Sequence, residues 1–401
     1  MRLGYLYSRY PVLSQTFCDA EMLELERHGH EIVLASVYPP KTALRHEYLA
    51  KLTAPIHYAP PASELNKLVK KAKRNRRWPA ALVAEHERKY GPGYKAATRA
   101  RNALFFVQLF ERERVGHFHV HFANRAAHTA LFVKAISGIP FSMTAHGQDF
   151  MSDLGNVGLL REICAAAEFV GAETDYSRGL LAARCPESAR KIICIYNGID
   201  LARFRETAHS TTSEGPIRLL SVGRLVRFKG FVVLLDACAA LKERGSNLRC
   251  KLIGGGPMRD ELEALAGRHQ LGRVIEFAGE RFQQEVLDAL RSCDIFVLAS
   301  TYDERGASDV FPTVIAEAMA SGKPVVSSSI AGIPELVLHG QTGLLVPPND
   351  SEALADAIER LARDADARGA FGAAGRRRIE ERFRIDITIE PLLKAFDAAM
   401  V

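Results

Sequence analysis

Short apolar runs alternate with amphipathic helical stretches along most of this 401-residue chain. Candidate strands fall at Arg2–Tyr7, Glu31–Val37, His117–Phe122, Pro140–Ala145, Glu168–Ala172 and Lys191–Tyr196. A second series follows at Ile217–Val222, Arg249–Ile253, Val274–Ala278, Asp294–Ala299, Pro324–Ser328 and Leu344–Val346. Helical patterns lie between them, at Thr16–His28, Gly230–Arg244, Met258–Arg268 and Pro312–Ser321. Strand then helix, repeated, implies parallel sheets covered on both faces. The chain is too long for one small core and suits two domains. The expected fold class is therefore α/β, with two doubly wound domains. Their junction is expected around Asn197–Pro216. Asn197-Gly198-Ile199-Asp200 is turn-like there, and His209–Gly215 is a polar run. Ligands of such sheets bind beyond the carboxyl ends of the strands, so the expected site is a cleft between the two domains. No repeat of solenoid length is present.

Composition narrows the class without naming a chemistry. At 47% hydrophobic and 25% charged residues, the chain reads as an ordinary globular protein. No apolar run reaches the about 18 residues a membrane span needs. The start Met1-Arg2-Leu3-Gly4-Tyr5-Leu6-Tyr7 is too short and tyrosine-rich for a signal peptide and reads as a first strand. The seven cysteines are scattered and form no Cys-x-x-Cys pair, which predicts buried reduced thiols and no zinc site. A cytosolic location follows. Seven cations and no acid lie between Leu65 and Arg77: Lys67, Lys70, Lys71, Lys73, Arg74, Arg76 and Arg77. They make either a solvated helix face or a contact for anionic headgroups, with Leu65, Leu68, Val69 and Trp78 as apolar companions. No nucleic-acid module accompanies them.

Two blocks carry the chemistry. Gly223-Arg224-Leu225-Val226-Arg227-Phe228-Lys229-Gly230 sits where a strand hands over to a helix. The Arg224 guanidinium can fork onto two phosphate oxygens, and the Lys229 ammonium acts as a point charge. Backbone N–H groups at the helix start add to the same field, so a leaving diphosphate is neutralised without a metal. By themselves these cations would pass for surface charges near a turn. The second block, Asp309-Val310-Phe311-Pro312-Thr313-Val314-Ile315-Ala316-Glu317, complements them. Pro312 suits a first helical turn, and the N–H groups of Phe311, Pro312's successor Thr313, and Val314 can face an anion. Glu317 lies about one and a half turns in and can accept from the vicinal hydroxyls of a ribose. Asp309 can reach the hydroxyls of a sugar beyond the phosphates. An exposed helical acid is the plain alternative for Glu317. Ile253-Gly254-Gly255-Gly256-Pro257 is a third strand-to-helix passage, either a tight turn or a place where backbone approaches a ligand. It lacks the dinucleotide spacing, and no Walker-type loop occurs.

These blocks resemble the retaining glycosyltransferase family 4, which has the GT-B fold of two Rossmann-like domains, over nearly the whole chain. Gly223–Gly230 matches the family's diphosphate loop, Asp309 to Glu317 its Glu-x7-Glu motif, and Asn197–Asp200 its junction turn. Tyr10-Pro11-Val12-Leu13-Ser14-Gln15-Thr16-Phe17 and His30 further resemble the branch that makes bacterial exopolysaccharides such as colanic acid. One departure stands out: Asp309-Val310 replaces the usual Glu-Gly, which shortens the reach of the first acid to the sugar. The resemblance implies a donor-side domain at 199–382 and an acceptor-side domain at 1–198. A helical basic insertion is expected at about 60–95, and a C-terminal helix at 383–401 packing back on the first domain.

The resemblance also assigns roles. His146, in Thr144-Ala145-His146-Gly147-Gln148-Asp149, would hydrogen-bond the donor sugar, and Asp149 would orient its loop. His121 ends an earlier strand on the same side. Ser14, Gln15 and Thr16 follow the first strand, placed to touch phosphate or acceptor. The implied reaction is metal-independent and cofactor-free transfer of a hexose, with retention, from a nucleotide diphosphate sugar, preferably a UDP-sugar. The expected acceptor is a glycan or lipid-linked glycan at the inner membrane face, and the alternative is a soluble small molecule. A nucleotide-sugar epimerase and a catalytically silent subunit are the rivals on the same scaffold.

Overall fold

The computed structural model describes residues 2–41, 47–151, 156–204 and 215–399. Most of the polar run at the expected junction, 209–214, lies outside them. The chain divides into two compact units, Met1–Ile195 with Ile389–Val401, and Tyr196–Thr388.

The first unit holds strands β1 (Arg2–Arg9), β2 (Glu31–Tyr38), β3 (Ile56–Tyr58), β4 (His117–His121), β5 (Phe141–Ala145), β6 (Val170–Ala172) and β7 (Ile192–Cys194). They pair in parallel in the order β3-β2-β1-β4-β5-β6-β7. Strand β1 is central: Leu3 aligns with Ile32 on one side and His117 on the other. Residues Leu3–Tyr7 are buried without a polar alternation, as expected of a parallel strand covered on both faces. The three-residue β3 left no periodic signal and was not expected from the sequence.

The second unit holds β8 (Ile217–Val222), β9 (Leu248–Ile253), β10 (Ile275–Gly279), β11 (Ile295–Leu298), β12 (Val325–Ser328) and β13 (Gly343–Val346). Their order is β10-β9-β8-β11-β12-β13, again all parallel. The winding direction reverses between β1 and β4 in the first sheet and between β8 and β11 in the second. A crevice opens at the carboxyl ends of such strand pairs, and both candidate blocks lie there.

The basic segment folds as helices Ala62–Arg74 and Ala80–Tyr90 and a turn at Pro92–Tyr94. All seven of its cations are exposed. Leu65 and Ala72 are buried, and Leu68, Val69 and Trp78 are half-buried, with this helix packed on helix Ala96–Arg112. The apolar companions thus serve the protein's own packing in large part, which leaves a mainly electrostatic face.

The C-terminal helix Glu390–Ala399 packs within the first unit. Leu392 and Phe396 are fully buried there, and Phe396 meets Phe169 edge-on at 5.5 Å. Each such burial contributes about 1.5–3 kcal/mol, enough to hold a short helix in place. The return occurs at Thr388–Ile389 rather than after residue 382. Residues 383–388 stay with the second unit because the Ile199 N–H donates to the Phe383 carbonyl at 2.8 Å and the Ile385 N–H to the Ile199 carbonyl at 3.0 Å. All seven cysteines are free thiols. No helix among the described residues is long and apolar enough to cross a membrane.

Candidate active site

In the second unit, the two blocks meet at the carboxyl ends of β8 and β11. The Lys229 ammonium pairs with Asp309 Oδ1 at 2.7 Å, and Ser300 Oγ donates to Asp309 Oδ2 at 2.7 Å. Lys229 and Asp309 both keep only a small part of their side chains in solvent, so the cation is held in place rather than sweeping through water. The Lys229 stem passes beside Gly223. Arg224 is exposed and has no side-chain hydrogen bond or ion pair among the described residues. Arg227 is instead occupied by Glu261 at 3.4 Å.

Glycine is required here by close approach. Gly230 has φ +68°, and a Cβ on it would lie 1.7 Å from the Ala299 carbonyl oxygen. Gly254 has φ +143°, and a Cβ there would lie 1.9 Å from the Gly223 carbonyl oxygen. Neither the backbone angle nor the space admits another residue. The glycine-rich passage therefore brings backbone against backbone. Gly254 fixes the shape of the Gly223 loop, a structural role that accounts for the glycine by itself.

Helix Thr313–Ala320 starts at Pro312, which serves as N-cap rather than as a first-turn residue. No side chain caps it, and the Thr313 and Val314 N–H groups have no acceptor among the described residues. Such orphan donors at a helix start form an anion site. The Phe311 ring is buried against Tyr196 and Phe383, so only its backbone can serve a ligand. Glu317 is 7% exposed, not an open helical acid, and its carboxylate accepts no hydrogen bond among the described residues. Burial pushes its pKa up to about 7, with Arg203 pulling the other way. An unpaired buried carboxyl is costly and is a mark of a site that expects a ligand.

In the first unit, a buried polar chain runs across the ends of β4 and β5. Glu173 Oε1 lies 2.9 Å from His146 Nδ1, and His146 Nε2 lies 3.1 Å from His121 Nδ1. His121 Nε2 lies 3.0 Å from Glu21 Oε1, which also accepts from the Tyr5 hydroxyl at 2.6 Å. Burial opposes charge on His146, yet Glu173, Asp149 and Glu21 together overcome it and raise its pKa. Burial works against Glu21 as well, but His121, His119 and Tyr5 hold it down to about 2. Asp149 accepts from the N–H groups of Ala123 at 2.7 Å and His146 at 3.0 Å, which fixes the loop; burial pushes its pKa up to about 6. Phe122 has φ +74° and lays its ring 4.2 Å from that of His146. A bulky residue in the left-handed region is strained, and such strain clusters at functional sites.

His146, His121 and Asp149 thus come together. Thr16 opens helix Thr16–Arg27, which carries Glu21. Gln15 Oε1 is buried without a hydrogen-bond partner, and Ser14 is exposed. Glu21 and Glu173 were not expected from the sequence. Glu173 follows β6 as His146 follows β5, and that parallel was the available signal. Glu21, His119 and His121 place one ligand atom each within 4.8 Å of one another. Their ring nitrogens are already engaged, those of His119 by Ser142 at 2.8 Å and Thr144 at 3.0 Å.

Two family models match in sequence, "Glycosyltransferase Family 4" over residues 15–203 and "Glycosyl transferases group 1" over 203–378. The D-inositol 3-phosphate glycosyltransferase of Actinosynnema mirum is 31% identical over 80% of this chain and 76% of its own. The chain belongs to glycosyltransferase family 4. The amylovoran biosynthesis glycosyltransferase AmsK of Erwinia amylovora is another similar member, 28% identical over 99% of both chains. It is the counterpart of the finer resemblance to the exopolysaccharide branch. Among solved structures, Alr3699/HepE of Anabaena in complex with UDP-glucose superposes with a TM-score of 0.76 at 20% identity, covering 99% of this chain and 100% of the other. That likeness gives this family 4 chain the same two-domain GT-B fold.

Proposed function

We propose that this family 4 glycosyltransferase moves a hexose, with retention, from UDP-hexose to a hydroxyl of a glycan or lipid-linked glycan in polysaccharide synthesis. The observation that carries the reading is the second-unit site. A pre-placed lysine, an unpaired arginine, uncapped helix N–H groups and a buried unpaired glutamate suit the charges and hydroxyls of a nucleoside diphosphate in that order. UDP is chosen because the similarly folded HepE was solved with UDP-glucose, and polysaccharide synthesis because AmsK serves amylovoran biosynthesis.

In this reading Arg224, Lys229 and the Thr313 and Val314 N–H groups stabilise the leaving diphosphate. Glu317 binds the ribose hydroxyls. Asp309 holds Lys229 before the donor arrives and then faces the sugar. His146, fixed by Glu173, hydrogen-bonds the sugar. The acceptor oxygen bonds to C1 on the face that the diphosphate leaves, and the departing diphosphate oxygen takes the acceptor proton. Neither a metal nor a cofactor is part of the scheme. The three carboxylates around His146 are committed: Glu21 to Tyr5 and His121, Glu173 to His146, and Asp149 to two N–H groups. That commitment favours a front-face displacement over a covalent glycosyl-enzyme.

Thermal unfolding against UDP, GDP, ADP and dTDP tests the donor site. UDP at a hundredfold excess over its dissociation constant adds about 2.7 kcal/mol of apparent stability. The shift should vanish in Arg224→Ala. No shift with any nucleotide, or an undiminished shift in Arg224→Ala, overturns the donor assignment. Release of UDP only when acceptor is present separates a transferase from an epimerase or a silent subunit.

A further inference from the structure

A cavity of about 700 Å³ opens in the first unit beside the loop that Asp149 fixes. Four arginines from four different elements line it: Arg9 at the end of β1, Arg99 in helix Ala96–Arg112, Arg125 at the start of helix Arg125–Ser137, and Arg184 at the end of helix Asp175–Arg184. None of the four has a carboxylate partner among the described residues. Arg9 donates to the Pro39 carbonyl and stacks on Tyr38 at 5.3 Å, and Arg184 donates to the Met151 carbonyl at 3.4 Å. These acceptors are neutral.

Arg99 is 6% exposed, and its Nε is buried with no hydrogen-bond partner. Burial depresses its pKa; the Tyr38 hydroxyl, hydrogen-bonded to the guanidinium, opposes that only in part, and the Arg125 charge beside it adds to the lowering. A buried guanidinium held against like charge is unfavourable unless an anion completes it. Helix starts add to the field, because Arg125–Ser137 and Val157–Ala166 both open on the cavity, each with one N–H met by its own asparagine cap. The acid among the described lining residues, Asp149, is spent on two backbone N–H groups.

We propose that this cavity binds a phosphate or diphosphate group carried by the acceptor, with the attached sugar lying against Gln15. One carboxylate would satisfy one guanidinium fork, whereas a diphosphate offers oxygens to several forks at once. The volume lies within the about 300–1,000 Å³ of ligand pockets and exceeds what a free anion fills. The unpartnered Gln15 Oε1 accepts from a sugar hydroxyl. The link to the acceptor rests on the proposed transfer reaction, whereas anion binding rests on the cavity itself.

Calorimetric titration of the full chain with pyrophosphate, after the donor site is saturated with UDP, tests this. One pyrophosphate should bind per chain, more weakly as salt is raised. Arg125→Ala should weaken it by about tenfold or more and leave UDP affinity unchanged. Arg125 is exposed, so this variant should fold. Glucose 1-phosphate and farnesyl diphosphate then separate a soluble phosphate ester from a lipid-linked diphosphate, and tighter binding of either supports the proposal. Absence of a second site with UDP bound, indifference to both Arg125→Ala and Arg184→Ala, or glucuronate binding more tightly than glucose 1-phosphate overturns it. If UDP itself fails to bind, the transfer reading falls. A pyrophosphate isotherm sensitive to Arg125→Ala would still uphold the cavity, and an insensitive one would sink it too.

Discussion

Glu317 shows what one residue gives up for a site. Its carboxyl is buried without a hydrogen bond among the described residues, and burial raises its pKa to about 7 from an ordinary 4.5 against the pull of Arg203. A folded-state pKa above the unfolded one means that the native protein binds the extra proton. The associated stability is complete below the unfolded pKa and is lost as pH rises through the folded one. Holding Glu317 ionised at pH 8 therefore costs on the order of 3 kcal/mol. Glu317→Gln should raise the urea midpoint at pH 8 and change it little at pH 5, while weakening UDP binding. An equal change in midpoint at both pH values would refute the assignment. Lys229 and Asp309 show the opposite strategy, each partly shielded and each satisfied by the other at 2.7 Å. The shortened acid at 309 is thus not idle: it places the lysine. The identity of these residues was legible in the sequence because charge and spacing suffice to suggest a diphosphate. Their pairing was not, because the two blocks are joined only by the fold.

At the level of elements, the passage after β9 determines the loop after β8. A Cβ at Gly254 would strike the Gly223 carbonyl oxygen, and φ is +143°. Gly254→Ala should cost about 2–4 kcal/mol and lower the melting temperature. It should also blunt the UDP shift. Gly272→Ala serves as the control, since nothing lies within 4 Å of its Cβ position. Equal melting temperatures for the two variants would show that the close approach is not needed. Strands and helices themselves were legible to within a few residues, because buried parallel strands are continuous apolar runs. The three-residue β3 was not, because Ile56–Tyr58 is too short and too half-buried to leave a pattern.

For the whole molecule, the exposed cations of Lys67–Arg77 offer the one test of a membrane surface. Their apolar companions are buried or half-buried in internal packing, so attachment is expected to be mainly electrostatic. Flotation should show binding to vesicles rich in anionic lipid, none to neutral vesicles, and loss of binding above physiological salt. Charge reversal by Lys70→Glu with Lys71→Glu should abolish it. No binding to either vesicle would leave the segment as a solvated face. The alternation of apolar runs and amphipathic helices determined two doubly wound units, because a strand buried on both faces must be covered by the helices that follow it. The charged blocks Gly223–Gly230 and Asp309–Glu317 carry the proposal of a diphosphate ligand, because phosphate recognition needs fixed cations and free N–H groups at a helix start. Only the tertiary structure decided which partners these groups meet: Asp309 for Lys229, Glu173 for His146, Glu21 for His121. It alone gathered Arg9, Arg99, Arg125 and Arg184 around one cavity. The physical reason is that local patterning sets which face of an element is buried, whereas side chains from elements distant in sequence meet only where the sheet order brings their ends together.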